Sequence, residues 1–189
     1  ARERWGDDPR FLYVAGNWYN LPFVDGLFET LVQVRTLHHA ADPPALFDEL
    51  ARVARADAAY VLEFASKHNV KAMLRYWLRR QTWSPFDPEP VEFVALNYDF
   101  HPDWIRAQLV AAGFAPGDML TVSHFRLGPL KSLAPTGLLV ALDSAAQRTG
   151  RWWQLSPSVF VRSRLVRPQS PPGGGFFACP TCHLSLGEP

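Results

Sequence analysis

Four short stretches of this chain hold residue types that can do chemistry. Gly16-Asn17-Trp18 sets an amide and an indole directly after an apolar run. His38-His39 places two imidazoles side by side, either as a proton acceptor and its neighbour or as a structural turn bonded to backbone. Lys67, Lys71, Arg75 and Arg79 recur every four residues, and Trp83, Phe86, Phe93, Tyr98 and Phe100 follow them. That stretch reads as a ligand pocket or lid, or as a solvated basic flank over an aromatic underside. Cys179-Pro180-Thr181-Cys182-His183 spaces two thiols as a zinc knuckle does. A closed tetrahedral site wants four ligands, so the pair reads as half a zinc ribbon. The same Cys-x-x-Cys-His spacing fits haem attachment or a dithiol, with less around it to support either.

The elements that must carry these residues follow from periodicity. Phe11 to Ala15 is a continuous apolar run that predicts a strand buried on both faces, and Thr30 to Val34 predicts a second. Val24-Asp25-Gly26 is a turn between them. Asp42 is placed to cap a helix with Pro43 at its first position, and Leu46, Phe47, Leu50, Val53 and Ala54 keep helical spacing through Arg55. Tyr60 to Phe64 is the next strand. An amphipathic helix is expected over Lys67 to Gln81, with Val70, Met73, Leu74, Trp77 and Leu78 on one face. A loop from Thr82 reaches Phe100, and a helix runs from His101-Pro102-Asp103 to Gly113. Asp118 to Arg126 is expected as a strand, Leu133 to Gln147 as a helix and Ser158 to Leu165 as the last strand. Gln169 to Gly175 is a Pro/Gly/Ser linker before a tail expected to be flexible if it holds no metal.

Strands alternating with helices predict an α/β fold: a Rossmann-like, mostly parallel sheet with helices on both faces. In such sheets ligands bind beyond the carboxyl ends of the strands, where Asn17, Trp18 and the His38-His39 pair fall. The 189 residues, 48% hydrophobic, suffice for one sizeable core. A net charge of +1 argues against a nucleic-acid binder, which needs a basic surface for phosphates. Two cysteines, both in the tail, leave the fold without disulfides and point to the reducing cytoplasm. Ala1 to Trp5 reads as the last turns of a helix with Gly6 as its cap, so the sheet is expected to be incomplete at the N-terminus.

Seven pieces then fall in order: Gly16-Asn17-Trp18, Leu21-Pro22-Phe23, Asp25-Gly26, Phe28-Glu29, Leu37-His38-His39, Asp42-Pro43 and Glu49-Leu50-Ala51-Arg52-Val53. Together they resemble the class I S-adenosylmethionine-dependent methyltransferases, in the type 11 group that includes the ubiquinone/menaquinone biosynthesis enzymes. The resemblance is strong from Phe11 to about Phe64 and weak as far as Leu165. It implies S-adenosylmethionine as cofactor, adenine contacts at Asn17 and Trp18, and cofactor-lining backbone at Val34 and Arg35. It makes His38 and His39 the nearest candidates for a base. Lys71, Arg75, Trp83 and Tyr98 then fall where this family varies to suit its acceptor, here a small or lipid-like molecule, with peripheral membrane contact open to the basic stripe.

Two parts of the family pattern have no counterpart: the glycine-rich turn after the first strand and the acidic residue after the second. Arg55 to Ala59 also replaces the family's Arg-Pro-Gly-Gly turn. The expected organisation is therefore a partial methyltransferase domain over 1–167, with an acceptor insertion near 67–112, and a linker and half zinc ribbon over 168–189 carrying Cys179 and Cys182. Two other readings stay open. One is a non-catalytic scaffold binding a partner through the basic helix and the tail. The other is a nicotinamide-dependent oxidoreductase, whose fingerprint is not found.

Overall fold

The computed structural model describes residues 8–125, 134–169 and 174–186. The helix expected in Ala1 to Trp5, with its Gly6 cap, lies outside them. Among the described residues, four strands form one sheet in the order β1 (Phe28–Gln33), β2 (Ala54–Ala65), β6 (Ser158–Leu165), β5 (Phe114–Val122). β1 and β2 are parallel, and β6 runs antiparallel to both β2 and β5. Three strands therefore point the same way, and their carboxyl ends share one rim.

Helix α1 (Pro43–Val53) begins as the sequence predicts: the Asp42 carboxylate accepts the Ala45 N–H at 3.1 Å, and proline occupies the first turn, where no N–H is needed. Its Leu46, Phe47 and Ala51 are buried against Tyr60, Leu62 and Phe64, which alternate to one face of β2. Val159, Val161 and Leu165 of β6 and Phe114 and Met119 of β5 join that face. Ile105 and Leu109 of helix α3 (Pro102–Ala111) close it. Tyr60 is fully buried; its hydroxyl donates to Gln33 Oε1 at 2.5 Å, and burial pushes its pKa far up.

A second pair of strands, β3 (Val91–Val94) and β4 (Asn97–Asp99), makes an antiparallel hairpin where a loop was expected. Gly113 ends α3 at φ +91°, a conformation costly to any side chain. The three-residue-per-turn segment Arg148–Arg151 after helix α4 (Thr136–Gln147) lies along β5. There a Cβ on Gly150 would sit 2.7 Å from the Met119 carbonyl oxygen and the Thr121 nitrogen, so only glycine fits.

Five expectations need correction. Phe11 to Ala15 is extended but belongs to neither sheet, and Leu12 is 64% exposed. An apolar run becomes a strand only where a neighbour takes its N–H and C=O groups, and the sheet stops at β1. Helix α2 (Val70–Trp77) is shorter than its pattern, ending where Arg79 turns left-handed at φ +56°. Val70, Leu74, Trp77 and Leu78 are exposed, and only Met73 of the expected face is buried. Lys67 precedes the helix, buried, with Nζ donating to the Glu89 carbonyl. β5 starts at Phe114 rather than Asp118, and Leu138 and Leu142 of α4 are exposed. The tail is no loose appendix: Ala178 N–H donates to the Pro22 carbonyl, Val24 N–H to that of Phe176, and the rings of Phe23, Phe28, Phe176 and Phe177 cluster.

Candidate functional site

The rim shared by β1, β2 and β5 carries the polar groups. Two residues past β1, Arg35 is held left-handed at φ +55°, and its N–H donates to Glu63 Oε2 at 2.7 Å. Glu63 is 6% exposed on β2, and its other oxygen accepts the Ser158 hydroxyl at 2.5 Å. This carboxylate fixes the tip of β1 against β2 and β6, and sequence reasoning missed it. Its signal was present: one acid within the apolar run Tyr60 to Phe64.

His38 and His39 follow in the short helix Leu37–His39, anchored by fully buried Leu37. Their rings lie 4.0 Å apart, and His39 Nδ1–H donates to the Leu96 carbonyl of the β3–β4 hairpin at 3.1 Å. Partial burial, then His39, lower the His38 pKa against the pull of Glu63, which keeps this imidazole neutral at pH 7. A neutral ring is able to accept a proton.

Trp18 and Asn17 part company. Trp18 lines a cavity of about 230 Å³ with Leu31, Gln33 and Thr36, between the carboxyl-terminal half of β1 and Leu46 and Leu50 of α1. Asn17 Oδ1 accepts the Tyr19 N–H at 3.0 Å, and the residue lines another hollow with Gly16, Pro22, Pro180 and Thr181 of the tail. Val34, 43% exposed, leads out of β1.

Two further cavities adjoin at Ser123, just past β5. One, about 560 Å³, lies between Arg35 and α4, with Leu139 and Asp143 in its wall. The other, about 370 Å³, lies between α2 and Leu155–Pro157, with Lys71 in its wall. Arg75, Trp83 and Tyr98 do not line it; Arg75 and Trp83 sit around α2 and its following loop, and Tyr98 pairs with Glu92 in the hairpin. Beside both cavities His124 Nδ1–H donates to Asp143 at 2.9 Å while Nε2 accepts the buried Thr121 hydroxyl at 2.9 Å. With both nitrogens engaged, this ring clips α4 to β5.

The tail residues Cys179 and Cys182 are free thiols. Backbone N–H groups of Cys182 and Thr181, and then the Cys182 side chain, bond to the Cys179 sulfur and lower its pKa. Among the described residues no three His, Cys, Asp or Glu side chains converge on a metal position. Two thiols do not complete a zinc site.

Burial is also the first cause of lowered pKa values at His68 and His101, whose rings lie 4.8 Å apart. With His38 they are three imidazoles that protonate in the unfolded chain before they do so in the folded one. Their stabilisation is complete above about pH 6.5 and is lost as pH falls through the folded values. Asp99, raised by burial, acts with the opposite sign at lower pH. The thermal midpoint is expected to drop between pH 7.5 and 5.5, and a flat profile would refute the burial of these rings.

Comparison with known proteins bears on the fold. Residues 1–62 match the family model described as a methyltransferase domain. No curated protein matches the sequence. Among solved structures, the chain is similar to one in the complex between the Haloferax volcanii Trm112 methyltransferase activator and a methyltransferase (TM-score 0.54, 12% identity, 87% of this chain and 66% of that one). It is similar to a SAM-dependent methyltransferase from Thermotoga maritima (0.51, 14%, 86% and 70%). It also resembles the Burkholderia thailandensis 1,6-didemethyltoxoflavin-N1-methyltransferase, solved with its substrate and S-adenosylhomocysteine (0.53, 15%, 88% and 55%). The chain spans less than two thirds of the first and last of these. At such identities the likeness is one of fold, the Rossmann-like α/β fold of these methyltransferases.

Proposed function

We propose that this chain is the substrate-facing part of an S-adenosylmethionine-dependent methyltransferase acting on a small-molecule or lipid-like acceptor. One observation carries the reading: every residue lining the cavity beside the carboxyl-terminal half of β1, Trp18 among them, lies within the stretch that matches the methyltransferase domain. Ligands of open α/β sheets bind beyond strand carboxyl ends, and an indole offers a flat apolar wall to a nucleobase.

The cofactor, when bound, supplies an electrophilic methyl group. The residues of this chain fit one side of it. Trp18 would face the adenine and the Val34–Arg35 backbone would border the amino-acid end, whereas Asn17, bonded to the Tyr19 N–H, lines a separate hollow and takes no part in that contact. Glu63 holds that backbone in place. Methyl transfer is an in-line displacement, so alignment and exclusion of water do most of the work. His38, neutral at pH 7 and steadied by His39, would take the acceptor's proton where the acceptor has one to lose.

Isothermal titration with S-adenosylhomocysteine tests this. Trp18→Ala is expected to weaken binding by about 1–3 kcal/mol, the worth of one base on one aromatic ring. Its thermal midpoint should barely move, since Trp18 is 37% exposed. Unchanged affinity would remove Trp18 from the site. The second reading, a scaffold that binds a partner, has one observation in its favour: Cys182 and Leu184 at the tip of the anchored tail are exposed. It requires no affinity for S-adenosylhomocysteine, so the same titration separates the two.

No absence of a membrane helix bears on the acceptor: no helix among the described residues is long and apolar enough to cross a bilayer. A lipid-like acceptor would have to be met at a surface or as a dissolved molecule.

A further inference from the structure

Helix α2 is the least expected element of the fold. Its pattern is that of a core helix, yet Val70 is 60%, Leu74 53% and Trp77 67% exposed. Exposed apolar surface gathered in one place marks a binding site more often than chance. Here it surrounds an opening: Val70 and Leu74 form one wall of the cavity of about 370 Å³, and Leu155 and Pro157 form the other. Small-molecule pockets fall within about 300–1,000 Å³.

Charge at the opening is of one sign. Lys71 stands on the rim, exposed, and no carboxylate of the described residues pairs with it. Arg75 follows one turn along the same helix. Lys67 does not contribute, because it is buried and bonded to the Glu89 carbonyl. An apolar slot with a free ammonium at its mouth complements a molecule with an apolar tail and an anionic head. The inner end of the slot meets Ser123, which also borders the cavity running to Arg35 at the tip of β1. A tail lying between α2 and Leu155–Pro157 would therefore point along the rim on which the methyl donor is proposed to sit.

We propose that the α2 cavity binds a single-chain anionic amphiphile, the tail between Val70, Leu74, Leu155 and Pro157 and the head at Lys71. The assignment does not rest on the methyltransferase reading. The oxygens of the head, the only nucleophilic atoms of such a ligand, lie at the mouth beside Lys71, and the end that points toward the proposed donor is hydrocarbon. The ligand is therefore not assigned as the methyl acceptor. Binding itself is independent of the cofactor.

The test uses dansyl-undecanoate fluorescence, with laurate and 1-dodecanol as competitors, all below their critical micelle concentrations. Laurate is expected to displace the probe about tenfold more effectively than dodecanol, the margin a charge-assisted contact confers. Lys71→Glu should bring laurate down to the level of dodecanol and leave dodecanol unchanged. Leu74→Glu should lose both ligands and keep whatever affinity the chain has for S-adenosylhomocysteine. Both side chains are exposed, so neither change disturbs the core. The proposal is overturned if Lys71→Glu weakens the two ligands alike, or if Leu74→Glu binds as the parent does. It is equally overturned if only anionic vesicles, and not monomeric laurate, are bound, which would make the face a lipid-surface contact. Laurate binding without S-adenosylhomocysteine binding would retain this site and sink the methyltransferase reading.

Discussion

Arg52→Ala is expected to cost about 3–5 kcal/mol of folding stability, the range found when one partner of a buried ion pair is removed. The Arg52 guanidinium ties together three of the seven motif pieces, Leu21-Pro22-Phe23, Asp25-Gly26 and its own Glu49 to Val53. It donates to the Phe23 carbonyl at 2.9 Å, the Leu21 carbonyl at 3.0 Å, Asp25 at 2.6 Å and Glu49 at 2.7 Å. Glu49 in turn accepts the Leu21 N–H at 2.6 Å, and the Arg52 carbonyl accepts the Gly26 N–H. Four residues from two segments, the loop Leu21–Asp25 and α1, thus converge on one side chain, which is 16% exposed, with the Glu49 side chain 8% exposed beside it.

Alanine would leave Glu49 buried without its counter-charge and two carbonyls without donors. The Asp25 limb contributes least, because that carboxylate is 54% exposed and water screens it. Lysine keeps the charge but not the five-donor fork, so Arg52→Lys should fall between the parent and alanine. Urea denaturation reads the difference. A loss below about 1 kcal/mol would show that the loop from Leu21 to Gly26 is held by its packing instead.

Glu63→Ala is expected to remove about 2–3 kcal/mol of stability and most of the affinity for S-adenosylhomocysteine. The stability loss follows from stranding the Arg35 N–H and the Ser158 hydroxyl, both of which Glu63 satisfies from a buried position. The loss of affinity follows from geometry. Arg35 is a non-glycine residue held at φ +55°, and such a conformation persists only where its surroundings impose it. Without the carboxylate the tip of β1 relaxes, and the wall that Gln33 and Thr36 make with Trp18 moves with it.

Glu63→Gln distinguishes the two effects. It keeps one acceptor oxygen, so it should recover part of the stability while leaving one of the two donors facing an amide NH₂. If Glu63→Ala retained full affinity by titration at a temperature where it is folded, the carboxylate would be a packing device with no bearing on the site.

Much of the first third of the fold was legible as sequence. Asp42 and Pro43 start α1 as read, because a cap and a proline act within one turn and need no distant partner. The run Ser158 to Leu165 alternates with period two and is β6 to the residue. The motif series from Leu21 to Arg52 was readable as a series, though not the network in which the Arg52 guanidinium joins Leu21, Phe23, Asp25 and Glu49. What failed was of another kind. The apolar runs Phe11 to Ala15 and Val70 to Leu78 look like buried elements, and most of their side chains are exposed.

Periodicity states that a face is apolar, and the chain alone fixes that, together with the Asp42 cap and the turn at Asp25-Gly26. It cannot state what that face will meet. Whether Phe11 to Ala15 finds a strand, whether α2 faces core or an open slot, and whether Glu63 ends up under Arg35 depend on residues 28 or more positions apart being brought within 3 Å. Those contacts form only when the sheet assembles, and so the tertiary structure alone decided where the site lies.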